Sequence, residues 1–308
     1  MATQETARTK FITANDIQFA YRLIGSPIID KAPLLMLNHF RSNIDLWDPL
    51  LINSLVATGR QLITYDYAGM GHSNGEVESS IKAFSKNVIA FLHVLLPTLQ
   101  TSQVDVLGFS LGGYVAQQLA LDAPTLVQKL VLAGTGPSFG PGLERPMAEV
   151  QSAIMAEPPD GNAIADTFFP SFVAREAGAA WLTRILSARQ SIAGKEGEPD
   201  FAFFLGGDGL TKLTEAYLKW DADPIPYALL QTIQKDVFVT AGKNDLIVPT
   251  QNSFVLSRQL PRANFVVYPG SGHGHLFQFA EIYAGLVGSF LDGEWPVPPV
   301  SFGAISAQ

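Results

Sequence analysis

Short, nearly continuous apolar runs alternate along this chain with longer stretches in which apolar residues recur every three or four positions. Pro33 to Leu37, Gln61 to Tyr65, Val104 to Phe109, Lys129 to Ala133, Val237 to Thr240 and Asn264 to Tyr268 have strand length and lack the polar alternation of a half-exposed strand. That pattern predicts strands covered on both faces. Helical patterns lie between them. One opens at Asp45 with Trp47, Leu50, Leu51 and Leu55; another spans about Ser79 to Leu95, with Phe84, Val88, Phe91, Leu92 and Leu95 on one side. Others start at Leu111 and Thr250 and run from Leu276 to Leu291. Phe11 to Thr13 and Ile17 to Ile24, joined through Ala14-Asn15-Asp16, predict an opening hairpin. The alternation implies an α/β fold with a mostly parallel, doubly wound sheet.

The pattern breaks at Gly134. Up to about Gln231 the chain is helix-like and loop-rich, with Gly136-Pro137, Gly140-Pro141-Gly142 and Glu157-Pro158-Pro159 and no clear strand. This predicts a helical cap, residues 136–231, inserted late into a core formed by residues 1–135 and 232–308. The tail after Gly293 is proline-rich and predicted to be irregular.

Composition narrows the function. With 47% hydrophobic and 16% charged residues the chain has a large core to bury, and a net charge of −8 without a basic cluster argues against nucleic-acid binding. There is no cysteine, which removes disulfides and thiolate chemistry. The polar start lacks the apolar stretch of a signal peptide, and no apolar run is long enough to span a bilayer. A cytoplasmic protein without membrane attachment is expected; monomer and homodimer are both open.

Gly-x-Ser-x-Gly occurs twice, at Gly108–Gly112 and Gly71–Gly75. A match arises by chance in about one chain in ten of this length, so context decides. Ser110 stands between a strand and a helix, where a sharp turn exposes the hydroxyl and needs small neighbours. Ser73 lies several residues past its strand in polar sequence and is expected to bond within its loop. Of the five histidines, His93 sits in a helical run, His72 beside the rejected serine, and His39 beyond the first core strand next to Phe40 and Arg41. His273 follows a strand within Gly-Ser-Gly-His-Gly-His and is the expected base; His275 begins a helix and is the weaker candidate. Asp245 follows another strand and is the expected orienting acid, whereas Asp236 precedes that strand, at the wrong sheet end. His273 and His275 also read as His-x-His, but no further cluster completes a metal site. The Gly69-x-Gly71 stretch fails the dinucleotide fingerprint and no Walker A pattern occurs, so neither a metal nor a cofactor is expected.

Together GFSLGG, DYAGMGHS, AGKNDLIVP and GSGHGHLFQ resemble the α/β-hydrolase superfamily in its Ser…Asp…His order, over roughly residues 11–135 and 235–292. The resemblance implies an oxyanion hole from the backbone N–H groups of Leu111 and Phe40. Many relatives carry His-Gly-x where this chain has Asn38-His39-Phe40, so His39 replaces a glycine. An aspartate nucleophile is excluded by the serine at the elbow. Arg41 adds positive charge there or, more ordinarily, pairs with Asp45. The aromatic-rich cap holds Phe168, Phe169, Phe172, Trp181, Phe201, Phe203, Phe204, Tyr217, Trp220 and Tyr227. Most are expected in its own core, with Trp181, Phe204 and Trp220 as substrate contacts. The expected function is cleavage of an ester, lactone or related bond in a hydrophobic small molecule through an acyl-serine. Non-hydrolytic use of the same triad (perhydrolysis, acyl transfer, C–C cleavage) and a ligand receptor with vestigial catalysis are the competing readings.

Overall fold

A computed structural model of the protein describes residues 2–138, 140–195, 198–200, 203–222 and 225–294. Phe201 and the proline-rich tail from Trp295 onward lie outside the described residues.

Strands β1 (Lys10–Ala14) and β2 (Ile17–Ile24) form the expected hairpin. Its two turn residues, Asn15 and Asp16, take φ of 49° and 63°, the backbone that matches the twist of the strands they join. The chain continues through β3 (Leu34–Leu37), α1 (Pro49–Ala57), β4 (Leu62–Tyr65), α2 (Ile81–Thr98), β5 (Val104–Phe109), α3 (Leu111–Asp122) and β6 (Val127–Ala133). After an insertion come β7 (Val237–Gly242), α9 (Thr250–Gln259), β8 (Ala263–Tyr268), α10 (His275–Gln278) and α11 (Ala280–Leu291). The helix expected from Asp45 begins later. Asp45 sits in a single 3-10 turn, Ile44–Leu46, and α1 starts at Pro49, whose missing N–H costs nothing there, with the Asp48 carboxylate accepting from Leu50 N–H.

The strands form one sheet in the order β1-β2-β4-β3-β5-β6-β7-β8, antiparallel from β1 to β4 and parallel from there on. Alternate residues feed two cores. Leu35 and Leu37 of β3 join Val104 and Val106 under α2 and α3, whereas Leu34 and Met36 join Leu107 and Phe109 under α1 and α11. Burial on both faces is why these strands read as unbroken apolar runs. Asp105 is the exception. Its carboxylate is buried against the Arg60 guanidinium at 2.8 Å, and burial still pushes it up to about 6 despite that partner.

Between β6 and β7 lie α4 (Ala148–Ile154), α5 (Gly161–Phe168), α6 (Ser171–Ser187), α7 (Gly207–Ala222) and α8 (Tyr227–Leu230), with no strand among the described residues. Leu213, Ala216 and Trp220 of α7 join one core; Ile164, Phe168, Phe169, Trp181 and Ile185 join the other. The insertion therefore straddles the sheet. Arg184 of α6 grips the Asp48 carboxylate through two hydrogen bonds of 2.9 and 2.6 Å, tying it to the start of α1. No described helix is long and apolar enough to cross a membrane.

Candidate active site

Ser110 ends β5 and precedes α3 with φ 55° and ψ −117°, a conformation that costs a non-glycine residue about 1–3 kcal/mol. Close packing holds it there. A Cβ on Gly108 would stand 2.3 Å from Gly112 O, and one on Gly112 would stand 2.2 Å from Leu37 O. Only glycine permits strand, turn and the exit of β3 to approach this closely. Ser110 Oγ is thereby held out of both elements, and Leu111 supplies the first N–H of α3, which has no acceptor within the helix.

Asp245 and His273, the expected acid and base, follow the ends of β7 and β8. His273 Nδ1 donates to Asp245 Oδ2 at 2.8 Å in a buried pair. The other oxygen, Oδ1, accepts from Ile247 N–H and Val248 N–H, each at 2.9 Å, so the carboxylate is fixed before it meets the ring. With Nδ1 donating, His273 Nε2 carries the lone pair. It is buried with no partner among the described residues, and His273 and Ser110 line the same small cavity. A lone pair in the same cavity as a hydroxyl is placed to accept its proton once the two come within hydrogen-bond reach.

His275 is structural. It is buried, accepts from Thr240 Oγ1 at 3.0 Å through Nε2 and donates from Nδ1 to His273 O at 3.1 Å. Burial, with the nearby His273 charge, pushes it down to about 3. His93 is exposed on α2, and Asp236 pairs with Arg262 at the surface. Ser73 accepts from Ala20 N–H and donates to Asp66 O, joining its loop to β2.

Phe40 lines both cavities that meet at Ser110. The segment before it is anchored by Asn38 Nδ2, which donates to Tyr65 O at 2.9 Å, and by His39 Nδ1, which donates to Phe40 O at 3.0 Å. Arg41 follows in the left-handed region at φ 63°. Its partner is not Asp45. The buried guanidinium reaches the insertion instead, donating to Leu205 O, Ile154 O, Ala156 O and Glu157 Oε1. Asp45 is taken by Arg22, Arg189 and His72, a buried cluster that Glu198 extends through Arg189. Burial works to raise Asp45, but His72 and Arg22 win and hold it at about 2.

Of the three aromatics expected to contact substrate, Trp220 and Phe204 line the cavities at Ser110 and Trp181 lines neither. It is fully buried, stacked on Phe168 and Phe277, because its face of α6 points into the core shared with α1 and α11. Phe172 and Phe203 are largely exposed. Sequence reasoning missed Tyr114, whose ring stacks on Trp220 at 5.3 Å, and Ile154, Met155 and Ile247, which line the larger cavity. The place of Tyr114 four residues after Ser110, one helical turn further on, was the available signal.

A serine at a strained strand-to-helix turn and a buried His–Asp pair at the ends of later strands define the α/β-fold hydrolase class. Residues 32–280 match the sequence profile of the alpha/beta hydrolase fold, and the chain belongs to that family. It is similar to an alpha/beta hydrolase fold protein from Chitinophaga pinensis, with 30% identity, TM-score 0.78, and coverage of 94% of this chain and 99% of that one. It is also similar to the pimeloyl-[acyl-carrier protein] methyl ester esterase of Nitrosomonas europaea, at 28% identity over 80% of this chain and 91% of the relative. The 2-hydroxymuconate semialdehyde hydrolase of Pseudomonas sp. (strain CF600) is 26% identical over 84% of this chain and 86% of its own. The protein is a hydrolase of ester-like bonds.

Proposed function

We propose that the protein is a serine hydrolase cleaving an ester, lactone or related bond in a hydrophobic small molecule, with Ser110 as nucleophile, His273 as base and Asp245 as its orienting acid. The observation that carries this reading is the unpartnered His273 Nε2 beside Ser110 in one cavity, its ring fixed from behind by Asp245. In the proposed reaction Ser110 Oγ bonds to the carbonyl carbon as its proton passes to His273 Nε2. The N–H groups of Leu111 and Phe40 receive the oxyanion, each such donor contributing about 3–4 kcal/mol. Collapse expels the leaving group, which takes the proton from His273; water then attacks the acyl-serine by the same route.

Residues 136–231 act in this reading as a cap that completes the substrate cavity. The larger cavity is lined by Tyr114, Ile154, Met155, Tyr217, Trp220 and Ile247 together with Glu144, Arg145, Gln151, Asp221 and Asn252, a mixed lining suited to an acyl group with an apolar body and a polar part. An active-site-directed fluorophosphonate is expected to label Ser110, located by peptide mapping, and Ser110→Ala to abolish ester turnover. Labelling elsewhere, or turnover unchanged in Ser110→Ala, would overturn the assignment.

A further inference from the structure

His39 follows β3 by two residues, and its ring is held in one orientation. It packs edge-on against Phe109 and Phe168, each at 5.2 Å between ring centres, and the same two aromatic rings flank His273 at 4.8 and 4.9 Å. A carbonyl oxygen only accepts, so the bond to Phe40 O assigns the proton of His39 to Nδ1. Nε2 is left with a lone pair that is buried and has no partner among the described residues. Burial, reinforced by the charge of His273, pushes His39 down to about 3, so the ring stays neutral and its Nε2 only accepts.

Two cavities meet at Ser110 and differ in size and in lining. The larger, about 90 Å³, is not lined by His273; the smaller, about 20 Å³, is bounded by His39, Phe40, Ile164, Phe168, Phe204 and His273. A space of this size takes about one water-sized group. The proton of His273 goes to the leaving group in acylation and comes from water in deacylation, so both must occupy the cavity that His273 lines.

Building on the serine-hydrolase reading, we propose that the small cavity receives first the leaving alcohol and then the attacking water. His39 Nε2 accepts a hydrogen bond from the second hydrogen of that water, and the acyl group lies in the larger cavity. The substrate class is then an ester of a short alcohol with the larger group on its acyl side. The C–O bond to the alkoxide breaks as His273 returns the proton, and the free alcohol leaves. Water enters with one hydrogen toward His273 and the other toward His39. Its oxygen bonds to the acyl carbon, its first proton passes to His273 and on to Ser110 Oγ, and the carboxylic acid is released. His39 positions the water and transfers no proton.

The test compares methyl and benzyl esters of phenylacetic acid on the wild type. The two alcohols are nearly equal leaving groups, so chemistry alone gives the two esters similar rates. The small cavity predicts a difference, with kcat/KM for the methyl ester about tenfold or more above that for benzyl, and His39→Ala narrowing the gap. His39→Phe keeps the aromatic packing and removes the acceptor; it is expected to slow deacylation, so that acyl-Ser110 accumulates in intact-protein mass spectra, while His39→Gln, which restores an acceptor near Nε2, relieves the accumulation. Benzyl turnover equal to or faster than methyl in the wild type would overturn the proposal even if no His39 variant folds, as would wild-type deacylation in a folded His39→Phe. Failure of the fluorophosphonate to label Ser110 is a separate result, against the catalytic reading itself.

Discussion

Each oxygen of Asp245 has its own partners, and the division makes a substitution informative. Oδ1 is committed to the Ile247 and Val248 N–H groups, and Oδ2 to His273 Nδ1. In Asp245→Asn the amide keeps its oxygen on the two backbone donors and turns its NH₂ toward His273, which must then accept at Nδ1 and carry its proton on Nε2. The lone pair facing Ser110 is lost. On the proposed mechanism kcat/KM for a phenylacetate ester falls by roughly 10³–10⁴, with little change in the urea midpoint. A loss under tenfold would show that Asp245 does not set the tautomer. Ser110, Asp245 and His273 are legible in the sequence because each directly follows an apolar run, and residues after parallel strands meet at one sheet edge. The partner of Arg41 is not legible. Glu157 lies 116 residues away, across an insertion whose loops carry no periodic signal, whereas Asp45 is near in sequence and already occupied.

At the scale of elements, arginines tie the insertion to the core: Arg184 on Asp48, Arg189 on Asp45, and Arg41 on carbonyls at the end of α4, just after it and before α7. Arg41 is buried, so losing it takes their donor from those carbonyls and from Glu157 Oε1, while Glu157 Oε2 keeps the Gly207 N–H. Arg41→Leu is expected to raise amide exchange around residues 154–157 and 205, leave β3 to β7 protected, and cost about 2–4 kcal/mol of stability. Unchanged exchange in those loops would mean that Arg41 is not the strut. The elbow gives a sharper case. Because a Cβ on Gly112 meets backbone at Leu37 O, which cannot rotate away, Gly112→Ala must separate α3 from the exit of β3. About 1–3 kcal/mol of stability should be lost, and kcat/KM should fall at least tenfold, since Leu111 and Phe40 move apart. The strands were readable from apolar runs, and the helices from their period. Which face of α6 turns inward was not, because Trp181 satisfies the helical pattern equally as pocket wall and as core.

Across the whole molecule, buried ionisable groups set a pH response that opposing signs make flat and then steep. His39 and His275 are neutral in the fold, lowered from 6.5 to about 3 by burial and the His273 charge; the unfolded chain protonates them first, so their contribution is lost as pH falls from about 6.5 toward 3. Asp66 and Asp105 run the other way. Burial raises them from 3.8 to about 7 and about 6, the folded state holds their protons, and their contribution is lost as pH rises from about 4 to 6–7. Between pH 4 and 6 two protons favour each state and the slopes cancel. Below pH 4 the unfolded aspartates become progressively protonated, the offset fades, and Asp45, held at about 2 in the fold, joins the histidines. A net one to one and a half protons then favour unfolding, and stability should fall by about 2 kcal/mol per pH unit between pH 4 and 3. Urea unfolding at fixed pH from 3 to 8 measures this directly: a plateau from about 4 to 7 followed by collapse is expected. A steady decline of several kcal/mol from pH 7 to 5 would mean that Asp66 and Asp105 are ionised in the fold, and that the buried cluster around Asp45 neutralises more charge than its hydrogen bonds indicate.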